Sequence, residues 1–493
     1  MKLDGSFLDI NGFYALIRAE KIDVPAGDMK KVAECRKFVE KMIKEKRRMY
    51  GVNTGFGELA KVSIRPRDLK KLQENIILSH SSGAGDRAER DICRGALILK
   101  VKTFLKGNSG VRPVLVENML KMLNAGLVPV SYEMGSLGAS GDLVPLAHLF
   151  SVLYGKGEFY YKGKHIPAQK GLLIAGIKDP LLDSKEGLAL TNGMQFTASI
   201  GGLYLYKFMK ALMLYTDAFS VICELLNVNE GQFSEEVHYL RPFSGIKTAN
   251  DAIRKNLRGR TIFKDKLRTQ DPYTIRCVPQ ILGGVYDNLN YVRSMIETEF
   301  NSVSDNPLFI PEKNIYLSAG NFHGEPLAIA LDSAAVSVSV ATSLLERQVN
   351  RLIHPCLSEL PPFGTKSPGL NSGLMIVQYA MASLANRNAQ LAAPSSVYSI
   401  PVSADQEDFV SMAGNTALKF RDSVKNYIES LSLFYLAVSQ VSSLSEKKYA
   451  PKQKRTLEGI SKVFKPFKDD IYIKDAQKRI HEYLLKKIED GAE

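Results

Sequence analysis

A mainly α fold is predicted for this chain by three features of its sequence. From Phe196 onward nearly every long segment carries apolar residues at helical spacing: Phe196 to Leu226, Asp287 to Phe300, Leu327 to Leu352, Leu374 to Gln390, Ala413 to Ser442 and Ile471 to Ile488. Several of these are strongly apolar and poor in internal glycine, the pattern of bundle helices buried on more than one face. Only one stretch, around Gly155, Tyr160, Tyr161 and Gly163, alternates as a short hairpin requires. The expected organisation is an N-terminal domain over 1–195, which holds the glycine-rich loops, and a C-terminal helical bundle over 196–493.

The earlier helices follow in order. Val39, Met42 and Ile43 place a helix over Val32 to Arg48, stopped by Met49-Tyr50-Gly51-Val52-Asn53-Thr54-Gly55-Phe56-Gly57, a loop whose glycines let backbone wrap a ligand closely. A helix from Asp68 to about Leu78 leads to Ser79-His80-Ser81-Ser82-Gly83. Arg90 to Lys106 and Val114 to Leu123 are further helices, ended at Gly107 and at Asn124-Ala125-Gly126.

Composition bounds the function. Hydrophobic residues make up 45% and charged residues 24%, ordinary for a soluble globular protein. The net charge of +13 falls largely in Lys41 to Arg48 and in the tail from Glu446, at helical spacing with Ile480, Leu484, Leu485 and Ile488. Those charges read as solvated helix faces that attract small anions, and no compact nucleic-acid motif accompanies them. No leader-like segment precedes Lys2-Leu3-Asp4, and no uninterrupted apolar run reaches ~18 residues, so no membrane partner is expected and the expected compartment is the cytoplasm. Cys35, Cys93, Cys223, Cys277 and Cys356 are scattered, and no histidine pair has zinc spacing, so reduced core thiols and no metal are expected.

The chemistry centres on Gly135-Ser136-Leu137-Gly138-Ala139-Ser140-Gly141-Asp142-Leu143, followed by Val144-Pro145-Leu146-Ala147-His148. A flexible turn is the plain interpretation. The order Ala-Ser-Gly adds another, because a tripeptide cyclises only if the nitrogen of its third residue reaches the carbonyl carbon of its first, and Ala139 and Gly141 are small enough to allow it. Ring closure with loss of water from Ser140 gives an electrophile that no side chain supplies.

The long string resembles the prosthetic-group motif of the histidine and aromatic amino acid ammonia-lyases, in which Ala139-Ser140-Gly141 would form 4-methylideneimidazole-5-one (MIO). Other blocks agree in the family's order. Tyr50-Gly51-Val52-Asn53-Thr54-Gly55-Phe56-Gly57 is similar to the loop whose tyrosine removes the β-proton of the substrate. Ser79-His80 matches the histidine-lyase variant of a selectivity pair that is typically Phe-Leu in phenylalanine lyases. Asn192, otherwise a plain helix cap, matches an asparagine that contacts the prosthetic group. Gln270, Tyr273 and Arg276 fall in one active-site block, and Phe322 in another, Gly320-Asn321-Phe322-His323-Gly324-Glu325-Pro326. Gln406-Glu407-Asp408 resembles the pattern in which the glutamate lies beside the substrate imidazole.

The resemblance implies a fumarase/aspartase-like bundle, a homotetramer whose sites draw on several subunits, and a carbon-nitrogen lyase acting on L-histidine. The planar fork of Arg276 suits the substrate carboxylate. Tyr273, Asn192 and Gln270 would orient the adduct, and His80 and Glu407 would hold the imidazole. Tyr50 titrates ordinarily near about 10, so it needs positive potential from Arg276 or helix N-termini. Phe409, Tyr398 and Ala392-Ala393-Pro394 depart from many bacterial histidine lyases. They leave open a phenylalanine or tyrosine lyase, an aminomutase, a lyase for a modified histidine, or a noncatalytic helical scaffold.

Overall fold

The computed structural model describes residues 1–178, 180–260 and 268–491. Its chain forms two compact units: Met1–Leu203 with Arg293–Asp332 and Pro394–Leu418, and Tyr204–Val292 with Ser333–Ala393 and Lys419–Glu493. Where one division near residue 195 was expected, the units interleave, because long helices leave one unit and two later segments return to it. The helices Gln195–Leu225, Glu325–Ile353 and Ala413–Ser442 each carry residues of both. By length and hydropathy Glu325–Ile353 could cross a membrane, but 67% of its apolar window is buried in the protein.

In the first unit the helix Arg90–Leu105 is buried almost throughout, from Ile92 to Leu105. Its buried cations donate to main-chain carbonyls, in the case of Arg94 those left free at other helix ends. Arg94 donates to Ile17 O, Leu123 O and Ala19 O at 2.9, 3.1 and 2.6 Å, closing the C-termini of Ile10–Arg18 and Pro113–Asn124. Lys102 donates to Asp4 O and Ser6 O at 3.1 and 2.6 Å. The expected hairpin is Glu158–Tyr161 against Lys164–Pro167, joined by Val128–Pro129 in a three-stranded antiparallel sheet. Two further ladders, Ala84–Arg87 with Tyr132–Met134 and Leu308–Ile310 with Ile315–Leu317, are too short to show alternation in sequence.

The second unit is a helical bundle around aromatic side chains. Phe208 meets Tyr427 edge-on at 5.0 Å, and Tyr215 packs on Phe434 at 5.6 Å. Three buried polar side chains tie its helices together: the Tyr435 hydroxyl donates to Leu214 O at 2.8 Å, Asn388 Nδ2 to Thr342 Oγ1 at 2.8 Å, and Gln453 Nε2 to Ser220 O at 2.8 Å. Ile473–Glu489 buries Ile480, Leu484 and Ile488 and turns its lysines outward, as its spacing predicts. Cys35, Cys93 and Cys223 are free thiols in the interior, and Cys356 is exposed.

Candidate active site

The Ala139 loop is held by backbone from three other segments. Met412 N–H donates to Leu137 O at 2.8 Å, and Gly324 N–H and Ser411 Oγ donate to Gly138 O at 3.0 and 3.1 Å. On the far side, Asp142 N–H donates to Gly193 O at 2.8 Å, while Gly193 N–H points at Ser140 O at 3.4 Å. Gly141 and Gly193 sit at φ +80° and +103°, and a Cβ on Gly141 would lie 2.3 Å from Gly193 O, so no larger residue fits. Ala139 is buried with Val410 and Met412. Buried Asp142 precedes the helix Leu143–Ser151 and accepts from Ser136 Oγ and from both the N–H and hydroxyl of Thr197, at 2.7, 2.8 and 2.7 Å. Small residues flank Ser140, its carbonyl faces a backbone donor, and its hydroxyl faces the cavity, so the residues present fit the expected ring.

Ser140 opens on a cavity of about 680 Å³ lined by Tyr50, His80, Asn192, Phe322 and Glu407. A smaller cavity of about 250 Å³ lies on another side of the tripeptide and shares His80, Ser140 and Glu407. Ser140 Oγ donates to Glu407 Oε1 at 2.7 Å. Five of the six first-unit residues expected to act on substrate therefore surround the sixth.

Each is placed by its own local structure. His80 ends the helix Leu69–His80, with Nδ1 3.1 Å from Ser79 Oγ; burial pulls its pKa below the ordinary imidazole value, against the opposing pull of Glu407. Buried Gln73 on this helix donates to Gly51 O at 3.3 Å and accepts from Leu188 N–H at 3.2 Å, tying it to the Tyr50 loop and to the helix Glu186–Thr191. Asn192 caps the C-terminus of Glu186–Thr191, not the start of the next helix, and its Nδ2 donates to Leu188 O at 3.1 Å. Tyr50 N–H donates to the Tyr316 hydroxyl at 2.8 Å, and Gly57 N–H donates to the Tyr50 hydroxyl at 3.0 Å. Burial raises the Tyr50 pKa and Glu407 raises it further, while the Gly57 bond opposes both. Among the described residues no arginine or lysine lines this cavity; the helix Leu143–Ser151 brings its N-terminus to it at Leu143.

Glu407 closes a tight turn with Val402, paired at 3.0 and 3.3 Å, and the intervening Ser403, Ala404 and Asp405 have φ of +55°, +52° and +60°. Three consecutive non-glycine residues in the left-handed region store strain beside the cavity. Sequence reasoning missed this turn, whose only signal is the run of small and polar residues ahead of Gln406. Gly193 was also missed, although Asn192-Gly193 is a common turn dipeptide.

Gln270, Tyr273 and Arg276 lie in the second unit and do not line this cavity. Tyr273 is 69% exposed, Arg276 stacks on its ring at 4.8 Å, and both sit in the single helical turn Tyr273–Arg276. Phe409 and Tyr398 do not line it either; they are 60% and 68% exposed. Phe409 instead accepts through its carbonyl from His323 Nε2 at 3.2 Å. Among the described residues no three His, Cys, Asp or Glu side chains cluster as metal ligands.

In a mainly helical chain, a small-residue tripeptide with a tyrosine, a histidine and a glutamate facing its serine points to the lyases and aminomutases that work on aromatic amino acids. The family described as "Aromatic amino acid lyase" matches residues 8–463, and the chain belongs to it. It is 42% identical to the histidine ammonia-lyase of Streptococcus sanguinis over 447 residues, 90% of this chain and 87% of that one. Among solved structures, the histidine ammonia-lyase of Trypanosoma cruzi superposes with a TM-score of 0.91 at 32% identity, covering 99% of this chain and 93% of that one. The tyrosine aminomutase of Streptomyces globisporus superposes with a TM-score of 0.95 at 30% identity, covering 100% and 98%.

Proposed function

We propose that this protein is a histidine ammonia-lyase, which eliminates ammonia from L-histidine without oxidation and releases trans-urocanate. The observation that carries it is the 2.7 Å hydrogen bond from Ser140 Oγ to Glu407, with His80 lining the same cavity. An acceptor-only carboxylate and a neutral imidazole beside the reacting position match the two ring nitrogens of histidine, one donor and one acceptor. A phenyl ring would leave those half-buried groups without a partner, at up to about 1–3 kcal/mol each.

In this reading Ala139, Ser140 and Gly141 form MIO, which supplies an electrophilic methylidene carbon. Gly193 N–H holds the tripeptide on one face, and Asn192 lines the cavity beside it. Tyr50 accepts the β-proton of the substrate. Burial and Glu407 both disfavour its phenolate, so the assembled site needs a cation, and Arg276 of a second copy fits that need while binding the substrate carboxylate. Gln270 and Tyr273 of that copy would orient the amine. The stack of half-buried Arg276 on the exposed ring of Tyr273 supports this, as does the row Ile329, Val336 and Val340, 50%, 49% and 43% exposed on one helix. The assembly is a homotetramer, and the free cysteines suit a reducing cytoplasm.

The test is a product assay on histidine, tyrosine and phenylalanine. Urocanate from histidine as the main product is expected. The similarity to a tyrosine aminomutase sustains a second reading, and faster turnover of tyrosine, with or without migration of the amine, would replace the first. A noncatalytic scaffold would turn over none of the three and would keep an unmodified mass over residues 139–141.

A further inference from the structure

Beyond the Asn192–Gly193 segment that holds the Ala139 loop lies a cation that the reaction described above leaves unused. Lys100, on the helix Arg90–Leu105, is 1% exposed. Among the described residues no carboxylate lies at ion-pair distance from it. Its ammonium donates to Ala189 O at 3.2 Å and to Asn192 O, and Phe104 presents its ring at 5.9 Å. Burying an ammonium costs several kcal/mol even after relaxation, and a leucine would fill the same space without that cost.

What the cation touches gives it a use. The Asn192 carbonyl and the Gly193 N–H belong to one planar, conjugated peptide group. A positive charge on its oxygen draws electron density from its nitrogen and makes the N–H a stronger donor. That N–H points at Ser140 O at 3.4 Å. Lys100, the 192–193 peptide and the Ser140 carbonyl thus form one hydrogen-bonded line that ends next to the Ser140 Cα.

We propose that Lys100 is a positioning residue for the dehydration of Ser140, acting through the Asn192–Gly193 peptide to stabilise negative charge on the Ser140 carbonyl oxygen. The inference rests on the reading of Ala139-Ser140-Gly141 as a self-cyclising tripeptide. In the step, the Cα–H bond of Ser140 breaks, its electron pair becomes the new Cα–Cβ double bond, and the Cβ–Oγ bond breaks. The proton and the hydroxide leave together as one water, and nothing is oxidised or reduced. As the proton departs, charge spreads onto the adjacent carbonyl oxygen, where the Gly193 donor stands.

The charged groups facing Lys100 are Asp305, Lys185, Asp142 and Glu299. Burial brings the ammonium down to about 7 and pushes the Glu299 carboxyl up to about 7. Lys100 is therefore charged on the acid side of neutrality and loses its charge as the pH rises, and Glu299 titrates in the same range. Comparison with Lys100→Met at each pH separates the two.

The full chain is made by cell-free synthesis in the cold and then shifted to buffers below and above neutrality. Loss of water from the peptide containing residues 139–141 is followed by mass spectrometry. The wild-type rate should fall as the pH rises through neutrality. Lys100→Met should be about tenfold slower on the acid side, less than loss of a direct oxyanion donor, and should lack that fall. Lys100→Arg, charged throughout, should stay fast above neutrality. Equal rates in wild type and a folded Lys100→Met overturn the role of Lys100 alone. If Lys100→Met does not fold, the other two chains decide: a fall present in wild type and absent in Lys100→Arg supports the proposal, and identical profiles overturn it. A wild-type chain that never loses water overturns the tripeptide reading and the proposal with it.

Discussion

At the scale of single residues, substitutions at Ser140 and Glu407 test the proposed formation of the site separately from the proposed recognition of the substrate. Ser140→Ala removes the hydroxyl that must leave as water, so turnover should vanish while circular dichroism and chain mass stay those of an intact, unmodified fold. Glu407→Gln keeps the shape but loses the carboxylate facing Ser140. It should slow histidine turnover by roughly tenfold to a hundredfold while peptide mass still reports water loss at residues 139–141. Ala404 sits at φ +52° inside the left-handed run that ends before Glu407. Ala404→Gly should raise the urea unfolding free energy by about 1 kcal/mol, because glycine adopts this conformation without strain; an unchanged midpoint would show that the turn is relaxed. His80 adds a pH dependence of known sign. Its folded pKa is depressed by burial, so the unfolded chain takes up its proton first, near about 6.5. The stability it contributes is complete above that value and is lost as the pH falls below it. Urea titrations across this window should show a loss on acidification that His80→Gln reduces.

Among elements, the buried amide of Gln73 does the positioning that neither of its neighbours can do alone. It joins the helix Leu69–His80 to Gly51 in the Tyr50 loop and to Leu188 in the helix Glu186–Thr191, which ends at Asn192. Three side chains of the site, Tyr50, His80 and Asn192, thus depend on one side chain that never enters the cavity. Gln73→Leu leaves the Gly51 carbonyl and the Leu188 N–H unpaired and should destabilise the fold by roughly 1–3 kcal/mol. Steady-state kinetics should show a higher KM for histidine along with the lower unfolding midpoint. A variant as stable as wild type with an unchanged KM would contradict the assignment.

For the whole molecule, the distribution of site residues between the two units sets the prediction. Tyr50, His80, Ser140, Asn192, Phe322 and Glu407 line one cavity of the first unit, while Gln270, Tyr273 and Arg276 belong to the second. If a second copy completes the site, two inactive chains, Ser140→Ala and Arg276→Ala, should regain part of the wild-type activity when produced together and assembled as mixed oligomers. No activity in mixed assemblies confirmed by native mass spectrometry would argue that each chain builds its site alone. Light scattering should find a tetramer at micromolar concentration, and a monomer would remove the basis for sharing sites.

The sequence by itself determined the helices and the chemistry-bearing strings. Apolar residues at helical spacing bury against whatever helix lies opposite, so the long segments from Phe196 to Ile488 were legible without knowledge of their neighbours. The Ala-Ser-Gly string was legible for a related reason, since its chemistry depends on residues adjacent in the chain. Tertiary structure alone decided the rest. The return of Arg293–Asp332 and Pro394–Leu418 to the first unit is a matter of long-range packing, which no local pattern encodes. The left-handed turn over Ser403, Ala404 and Asp405 runs against the local preference of each residue and exists only because its surroundings hold it. Likewise the charge on Lys100 has meaning only through the Asn192 carbonyl, 92 positions away in the chain, and the Gly193 N–H it polarises.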